Sequence, residues 1–429
     1  MTALSVKPAG VAVLGTRIFD VDGGELPTVV LSDLHVPRDG GDVVGWLEAV
    51  LVRAALDYTA QQGVPPSVVH AHDWQAGLAP VYLKTRYAGH RVLGGTPSVF
   101  TIHNLAYQGL FDADWVPRLD LGWETFTPER LEYWGQLSLL KAGINDAEFV
   151  TTVSQRYAEE IQTPEFGFGF DGILRQRRQQ LFGILNGIDT RQWDPAHDPY
   201  LPAPFTADDF SGKSTAKAAV LAHYGLRVDD ASMRRPVIGM ISRMVDQKGL
   251  DLLAALADEL PRLDATFLVL GTGEARYQDM WRGMAAAYPS RVAVRVGFDE
   301  ALAHLIEGGA DMFLMPSKFE PCGLNQMYSL RYGTVPVVRA VGGLADTVVD
   351  YRPDRLKATG FAFEVYTPAA LLDTLKRALA LYGDRARWKR LQRVGMAQDH
   401  SWDRSAREYV RIYERAMEAV GRPVGAPLL

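Results

Sequence analysis

DMFLMPSKFEPCGLNQMYSLRYGTVPVVRAVGGLADTVVD, residues Asp311–Asp350, contains the same local pattern twice. An apolar run, Met312–Met315, ends at Pro316, and a polar loop then carries Glu320 toward a helix expected to open near Cys322-Gly323. A second apolar run, Val335–Val338, leads to Gly342-Gly343 and another expected helix. Short buried strands that feed helices through glycine-bearing loops are the building unit of parallel α/β sheets. Each helix start offers backbone N–H groups and the positive end of a dipole, which favour phosphate or an oxyanion. A carboxylate beside such amides is suited to accept hydrogen bonds from hydroxyls, as a sugar would offer.

The same alternation extends outward. Ser67–Ala71, Ser98–His103, Phe149–Ser154, Val237–Ser242, Thr266–Gly271 and Val292–Phe298 read as buried parallel strands. Leu250–Leu263, Ala301–Gly308 and Leu371–Tyr382 have helical spacing. A Pro/Asp-rich stretch at 193–209 interrupts the pattern, and a second series begins at Arg235. The chain thus divides into an N-terminal domain over 1–200, a connecting region over 200–232 and a C-terminal domain over 233–395. The remaining 396–429 holds a helix with Trp402, Tyr409, Ile412 and Tyr413 near one face.

Length and composition bound the class. A chain of 429 residues is comfortable for two cores, and 47% hydrophobic with 22% charged residues is ordinary for a globular protein. A net charge of −6 gives no electrostatic reason to expect nucleic acid or an anionic membrane. The single cysteine, Cys322, excludes an internal disulfide, and no signal-like or membrane-length apolar run is present, so a cytoplasmic location is expected.

His70–Lys84 (HAHDWQAGLAPVYLK), Phe100–Phe111 (FTIHNLAYQGLF), Asn186–Pro195 (NGIDTRQWDP), Gly239–Leu253 (GMISRMVDQKGLDLL) and the 311–350 segment follow one another in the order found in bacterial glycogen synthase and plant starch synthase. The chain resembles that family. The resemblance implies an α/β architecture of two doubly wound, Rossmann-like domains facing across a cleft (GT-B), with the final helix, in 396–429, crossing back to the first domain. It also implies a retaining glucosyltransferase that extends α-1,4-glucan from ADP-glucose, with UDP-glucose the second choice. No cofactor and no metal is implied.

Site residues follow from the motifs. Two cations five apart after a strand, Arg243 and Lys248, suit a phosphorylated ligand on their own chemistry, although solvated surface charges read the same way. The resemblance implies that they grip the donor diphosphate and stabilise the departing leaving group. It places Glu320 and the amides of Cys322, Gly323 and Leu324 on the transferred glucose. Asn186 also contacts the sugar, and the turn Gly271-Thr272-Gly273 lies near the nucleotide. Tyr328 stands where many GT-B enzymes carry a ribose-binding glutamate, and joins the donor side. His103, at a strand end, reads equally as a core histidine satisfied by backbone, and the resemblance implies that it supports charge on the reacting sugar and that Asp73 lies near the bond being made. A thiolate at Cys322 would be favoured at a helix start, yet no histidine is close in sequence and a structural role is the preferred reading. His70-Ala71-His72 raises a rival zinc reading, with His103 and His304 as further ligands.

One family feature has no match. The Lys-x-Gly-Gly-Leu loop after the family's first strand is absent, and Arg38–Gly45 is similar only in composition and lies too near His72. The expectation is a first domain incomplete at its N-terminus, with an alternative in which the chain binds glucan or nucleotide without catalysis.

Overall fold

The computed structural model describes residues 41–424 and, among the first forty, the strands Val13–Gly15, Ile18–Phe19, Glu25–Leu26 and Thr28–Ser32. It divides into two compact units, one of Met1–Leu185 with Ser405–Leu429 and one of Asn186–Arg404. No helix among the described residues is long and apolar enough to cross a membrane.

The first unit is built on a six-stranded sheet in the order Val13–Gly15, Thr28–Ser32, Val68–His72, Ser98–Ile102, Phe149–Thr152, Leu181–Gly183. All neighbours are parallel except the first pair. The central strands are buried on both faces, which is why they read as unbroken aliphatic runs. Helix Trp402–Ala419 packs Tyr409, Ile412, Tyr413, Ala416 and Met417 against Val68, Val99, Phe149 and Ile184 of this sheet. A smaller antiparallel sheet, Leu110–Asp112, Gln136–Ser138 and Glu132–Tyr133, follows the strand that ends before His103. Of the Arg38–Gly45 stretch, Arg38, Asp39 and Gly40 lie outside the described residues, and Gly41–Gly45 begin helix Gly41–Gln61.

The second unit is a six-stranded, wholly parallel sheet: Val292–Val296, Thr266–Gly271, Val237–Ile241, Met312–Met315, Val335–Arg339, Phe361–Phe363. Counted along the chain within this unit, the order is 3-2-1-4-5-6, the dinucleotide-fold order, whose direction reverses between Val237–Ile241 and Met312–Met315. Loops from those two strands must splay apart there, so a crevice at their carboxyl ends is a consequence of topology.

Four local expectations change. The stretch expected as a connection, 200–232, is part of the second unit. Helix Ser211–His223 packs Val220 and Leu221 into the core with Leu302 and Ile306 of helix Glu300–Gly309. Asp198 Oδ2 lies 2.7 Å from His304 Nδ1 and accepts from Tyr332 Oη at 2.5 Å. Those buried polar contacts fix the 193–209 stretch in the second unit's body, and the chain passes between units at Leu185–Asn186. The helix expected over 250–263 ends at Ala255, where Leu256, Ala257 and Glu259 N–H turn to carbonyls three residues back, and a short 3₁₀ turn, Leu260–Arg262, follows with Pro261 in its first positions. Finally, the helix after Glu320 begins at Asn325, not near Cys322-Gly323, since Gly323 is left-handed at φ 70°.

Tyr413 is 1% exposed in the cluster that seats the last helix. Tyr413→Ala is expected to cost about 3–5 kcal/mol, as for other buried aromatic truncations. Urea denaturation followed by circular dichroism measures it.

Candidate active site

In the second unit a cavity of about 350 Å³ opens at the reversal point of the sheet. Met240, Leu270, Leu314 and Met315, at the carboxyl ends of three strands, form its apolar floor. Arg243, Lys248, Ser317, Glu320 and Asn325 bring its polar groups, and Thr272, Gly323, Leu324 and Phe298 complete the rim. Apolar walls with a few convergent polar groups are the common form of a small-molecule site.

The polar groups are set by backbone contacts between loops. Gly249 follows Lys248 with φ 76°, and a Cβ there would overlap the Pro316 carbonyl oxygen. Only glycine permits both the left-handed turn and the close approach. The two loops are joined further by Lys318 N–H donating to Gln247 O at 2.8 Å. Lys248 Nζ then donates to Glu320 Oε2 at 2.6 Å, and Ser317 Oγ donates to the same oxygen at 2.9 Å. Arg243 is exposed on the rim, with Nη2 3.3 Å from Gln247 Oε1.

Gly271 and Gly273 act by the same means. A Cβ on either would strike the carbonyl oxygen of Ser242 or Met244, and Met244 N–H donates to Thr272 O at 2.8 Å. The Arg243 loop and the Gly271-Thr272-Gly273 turn therefore run backbone to backbone. The second glycine pair differs from its expected use. A Cβ on Gly343 would overlap Cys322 O, and Gly343 N–H donates to Glu320 O and Pro321 O, both at 3.2 Å. That helix start serves as a backstop for the Glu320 loop, and the Gly343 amide already has partners in that loop.

Cys322 is buried, its sulfur accepts the backbone N–H of Asn186, and burial pushes the thiol up to about 12. Burial thus disfavours the thiolate at this position. Asn186 itself holds Oδ1 buried with no hydrogen-bond partner among the described residues. Tyr328 stacks on Trp193 at 3.8 Å, which stacks on His304 at 3.7 Å, and burial raises the phenol to about 12. Asn186, Gly273, Cys322 and Tyr328 do not line the cavity, whereas Arg243, Lys248, Gly271, Thr272, Glu320, Gly323 and Leu324 do. Ser317, Phe298 and Asn325 were not singled out in the sequence. Nothing local in the sequence marks any of the three.

Asp73 and His103 belong to the first unit, at the carboxyl ends of neighbouring strands. Asp73 has φ 54°, uncommon for a residue with a side chain, and its Oδ1 accepts His103 N–H at 2.7 Å. His72 Nδ1 lies 2.9 Å from His103 Nε2, and the His70 and His72 rings are 4.1 Å apart. His70 is engaged at both nitrogens, with Tyr413 Oη at 2.8 Å and Thr101 Oγ1 at 2.6 Å. Burial, then the neighbouring His103, lowers His70 to about 3, and burial foremost holds His72 well below the usual histidine range. The zinc reading fails on these contacts. His70 has no nitrogen to give, and His304 Nδ1 is taken by Asp198. Among the described residues no group of three His, Cys, Asp or Glu could hold a metal ion.

Neutral buried histidines couple folding to pH. The unfolded ring takes up a proton near 6.5, the folded His70 only near 3, so stability is lost as pH falls below 6.5 and continues to fall toward 3. Each such histidine steepens the loss by up to about 1.4 kcal/mol per pH unit. Urea denaturation from pH 7 to 5 should show this slope, and His70→Gln should reduce it.

Comparison with known proteins gives a consistent result. Residues 46–176 match the family model "Starch synthase catalytic domain", and residues 227–393 match "Glycosyl transferases group 1". The chain is 52% identical over 376 residues to a glycogen synthase of Anaeromyxobacter dehalogenans, covering 88% of this chain and 78% of that one. It is 48% identical over 370 residues to a glycogen synthase of Koribacter versatilis, covering 86% and 75%. Its structure is similar to the catalytic domain of starch synthase IV from Arabidopsis thaliana bound to ADP and acarbose, with TM-score 0.82, 34% identity, and coverage of 90% and 79%.

Proposed function

The chain belongs to the glycogen and starch synthase family of glycosyltransferases, and on that premise we propose that its second unit binds ADP-glucose and that glucose passes to an α-1,4-glucan. The observation that carries the donor assignment is the cavity at the sheet reversal. It joins an apolar floor, a cationic rim and a buried carboxylate within about 350 Å³. An adenosine fits the first, a diphosphate the second, and sugar hydroxyls the third.

In this reading the bond between glucose C1 and the β-phosphate oxygen breaks, and a bond from C1 to the 4-hydroxyl oxygen of the glucan end forms with retained configuration. The hydroxyl proton leaves with the departing ADP or to solvent. Negative charge grows on the diphosphate as C1 departs, and Arg243 and Lys248 are the cations placed to meet it. Glu320, already bonded to Lys248 and Ser317, keeps an acceptor oxygen for a glucose hydroxyl. Gly323 and Leu324 form the wall beside it. Asn186, Cys322, Gly273 and Tyr328 act by holding that wall and its loops. Asp73, whose Oδ1 accepts the His103 backbone N–H at 2.7 Å, and His103 are the first-unit residues that the family resemblance assigns to the reacting sugar and acceptor.

Incorporation of labelled glucose from ADP-glucose into glycogen tests the assignment, with UDP-glucose as the competing donor. Incorporation from ADP-glucose is expected, and failure with both donors would leave only a binding role. Arg243→Ala and Lys248→Ala should each lower kcat and kcat/KM by about 100–1000-fold, the range for removing one group that stabilises transition-state charge. Arg243→Ala, at an exposed position, should leave the melting temperature unchanged. Steady-state kinetics with thermal melts separate the two effects. Glu320→Gln keeps the shape but loses the charge partner of Lys248, and should reduce kcat/KM for ADP-glucose while ADP itself still binds in calorimetry.

A further inference from the structure

The first unit holds two aromatic residues in a backbone conformation that disfavours them. Trp134 and Gly135 are the central residues of the two-residue turn between Glu132–Tyr133 and Gln136–Ser138, with φ 52° and 80°. A tight hairpin with both central residues at positive φ calls for Asn, Asp or Gly in the first position. Tryptophan there carries backbone strain, and its side chain gains little from burial, because Trp134 is 86% exposed. Phe168 and Gly169 repeat the arrangement with φ 48° and 85°, and Phe168 is 39% exposed. Two aromatic–glycine pairs, each left-handed, therefore present bulky rings at the surface.

The two turns are held to one another through Tyr133. Its ring lies 6.4 Å from that of Trp134 and 4.6 Å from that of Phe170, and a Cβ on Gly169 would overlap its hydroxyl. Gln108 Nε2 donates to Phe168 O at 2.8 Å. The same small sheet is anchored next to Asp73. The Trp74 ring lies 6.0 Å from that of Phe111, and a Cβ on Gly109 would fall 2.6 Å from the Trp74 ring. One packed path within the first unit thus leads from Asp73 through Trp74, Phe111 and the paired strands to the tip at Trp134.

We propose that Trp134 and Phe168 form a stacking platform for pyranose rings of the α-glucan, some sugars away from the end that reacts. This rests on the glucan-extending reading above. Pyranose faces carry C–H groups and stack on flat aromatic surfaces. Rigid rings contribute large contact area with little rotamer entropy to lose. Strain retained at two neighbouring turns is accounted for by a function that needs the rings in place.

Trp134→Asn puts into the turn a residue whose backbone suits it, so the melting temperature should stay the same or rise, and failure to fold is not the expected outcome. With labelled ADP-glucose, KM for maltoheptaose should rise roughly tenfold, while KM for maltose and for ADP-glucose should change less than about twofold. Tryptophan fluorescence gives a second readout independent of transfer. Maltoheptaose should shift the emission of the wild-type protein, and the shift should disappear in Trp134→Asn. An active wild-type enzyme whose Trp134→Asn variant keeps the same KM for maltoheptaose, or raises it equally for maltose, overturns the platform. So does a fluorescence shift that survives the substitution. A wild-type protein that transfers no glucose yet shows the Trp134-dependent shift would keep the platform and overturn the transferase reading.

Discussion

Lys248 and Glu320 meet 2.6 Å apart in the second unit, both largely shielded from water, and the candidate donor site depends on that pair. A buried ion pair holds only while both partners stay in register, since removing either leaves an uncompensated charge. Their loops leave strands on opposite sides of the sheet reversal, where topology separates rather than joins them. Close backbone contact, Gly249 on Pro316 and Lys318 N–H on Gln247 O, brings them back together, and Gly343 against Cys322 backs the Glu320 loop from behind. The carboxylate is thereby fixed in place before any ligand arrives, so little reorganisation is left for the binding step.

The first unit reaches order by different means. His70, His72 and His103 form a line of imidazoles, tied at one end to Thr101 and Tyr413 and at the other set beside Asp73. Keeping the inner rings neutral avoids three adjacent positive charges in a region with little water. Tyr413 belongs to the last helix, so the segment that covers this sheet also orients the innermost histidine. Stability and site geometry share that one hydroxyl.

Eight strands were legible because buried parallel strands are written as short aliphatic runs. Leu181–Gly183 and Phe361–Phe363 escaped notice, being three-residue edge strands with too little sequence to show a pattern. The connecting region was misplaced for a related reason. Proline and aspartate at 193–209 look like a linker, but Asp198 is buried as a partner for His304 and Tyr332. Arg243, Lys248 and Glu320 stood out by residue type and by position after strands. Ser317, Asn325 and Phe298 did not, because nothing local marks an ordinary serine, asparagine or phenylalanine as part of a cavity assembled from several strand ends.

By itself the sequence determined the α/β class, the family, and the few residues whose chemistry is unusual for their setting. Those are properties of local pattern and side-chain type, and both are written residue by residue. Tertiary structure alone decided which of those residues share a cavity, that the Gly342-Gly343 helix start faces a loop, and that Cys322 is a buried thiol accepting a backbone hydrogen bond. It also decided that Trp134 and Phe168, far apart in sequence, occupy matching strained turns packed around Tyr133. The physical reason is that burial, strain and proximity depend on backbone segments brought together from distant parts of the chain, which no local run of residues encodes.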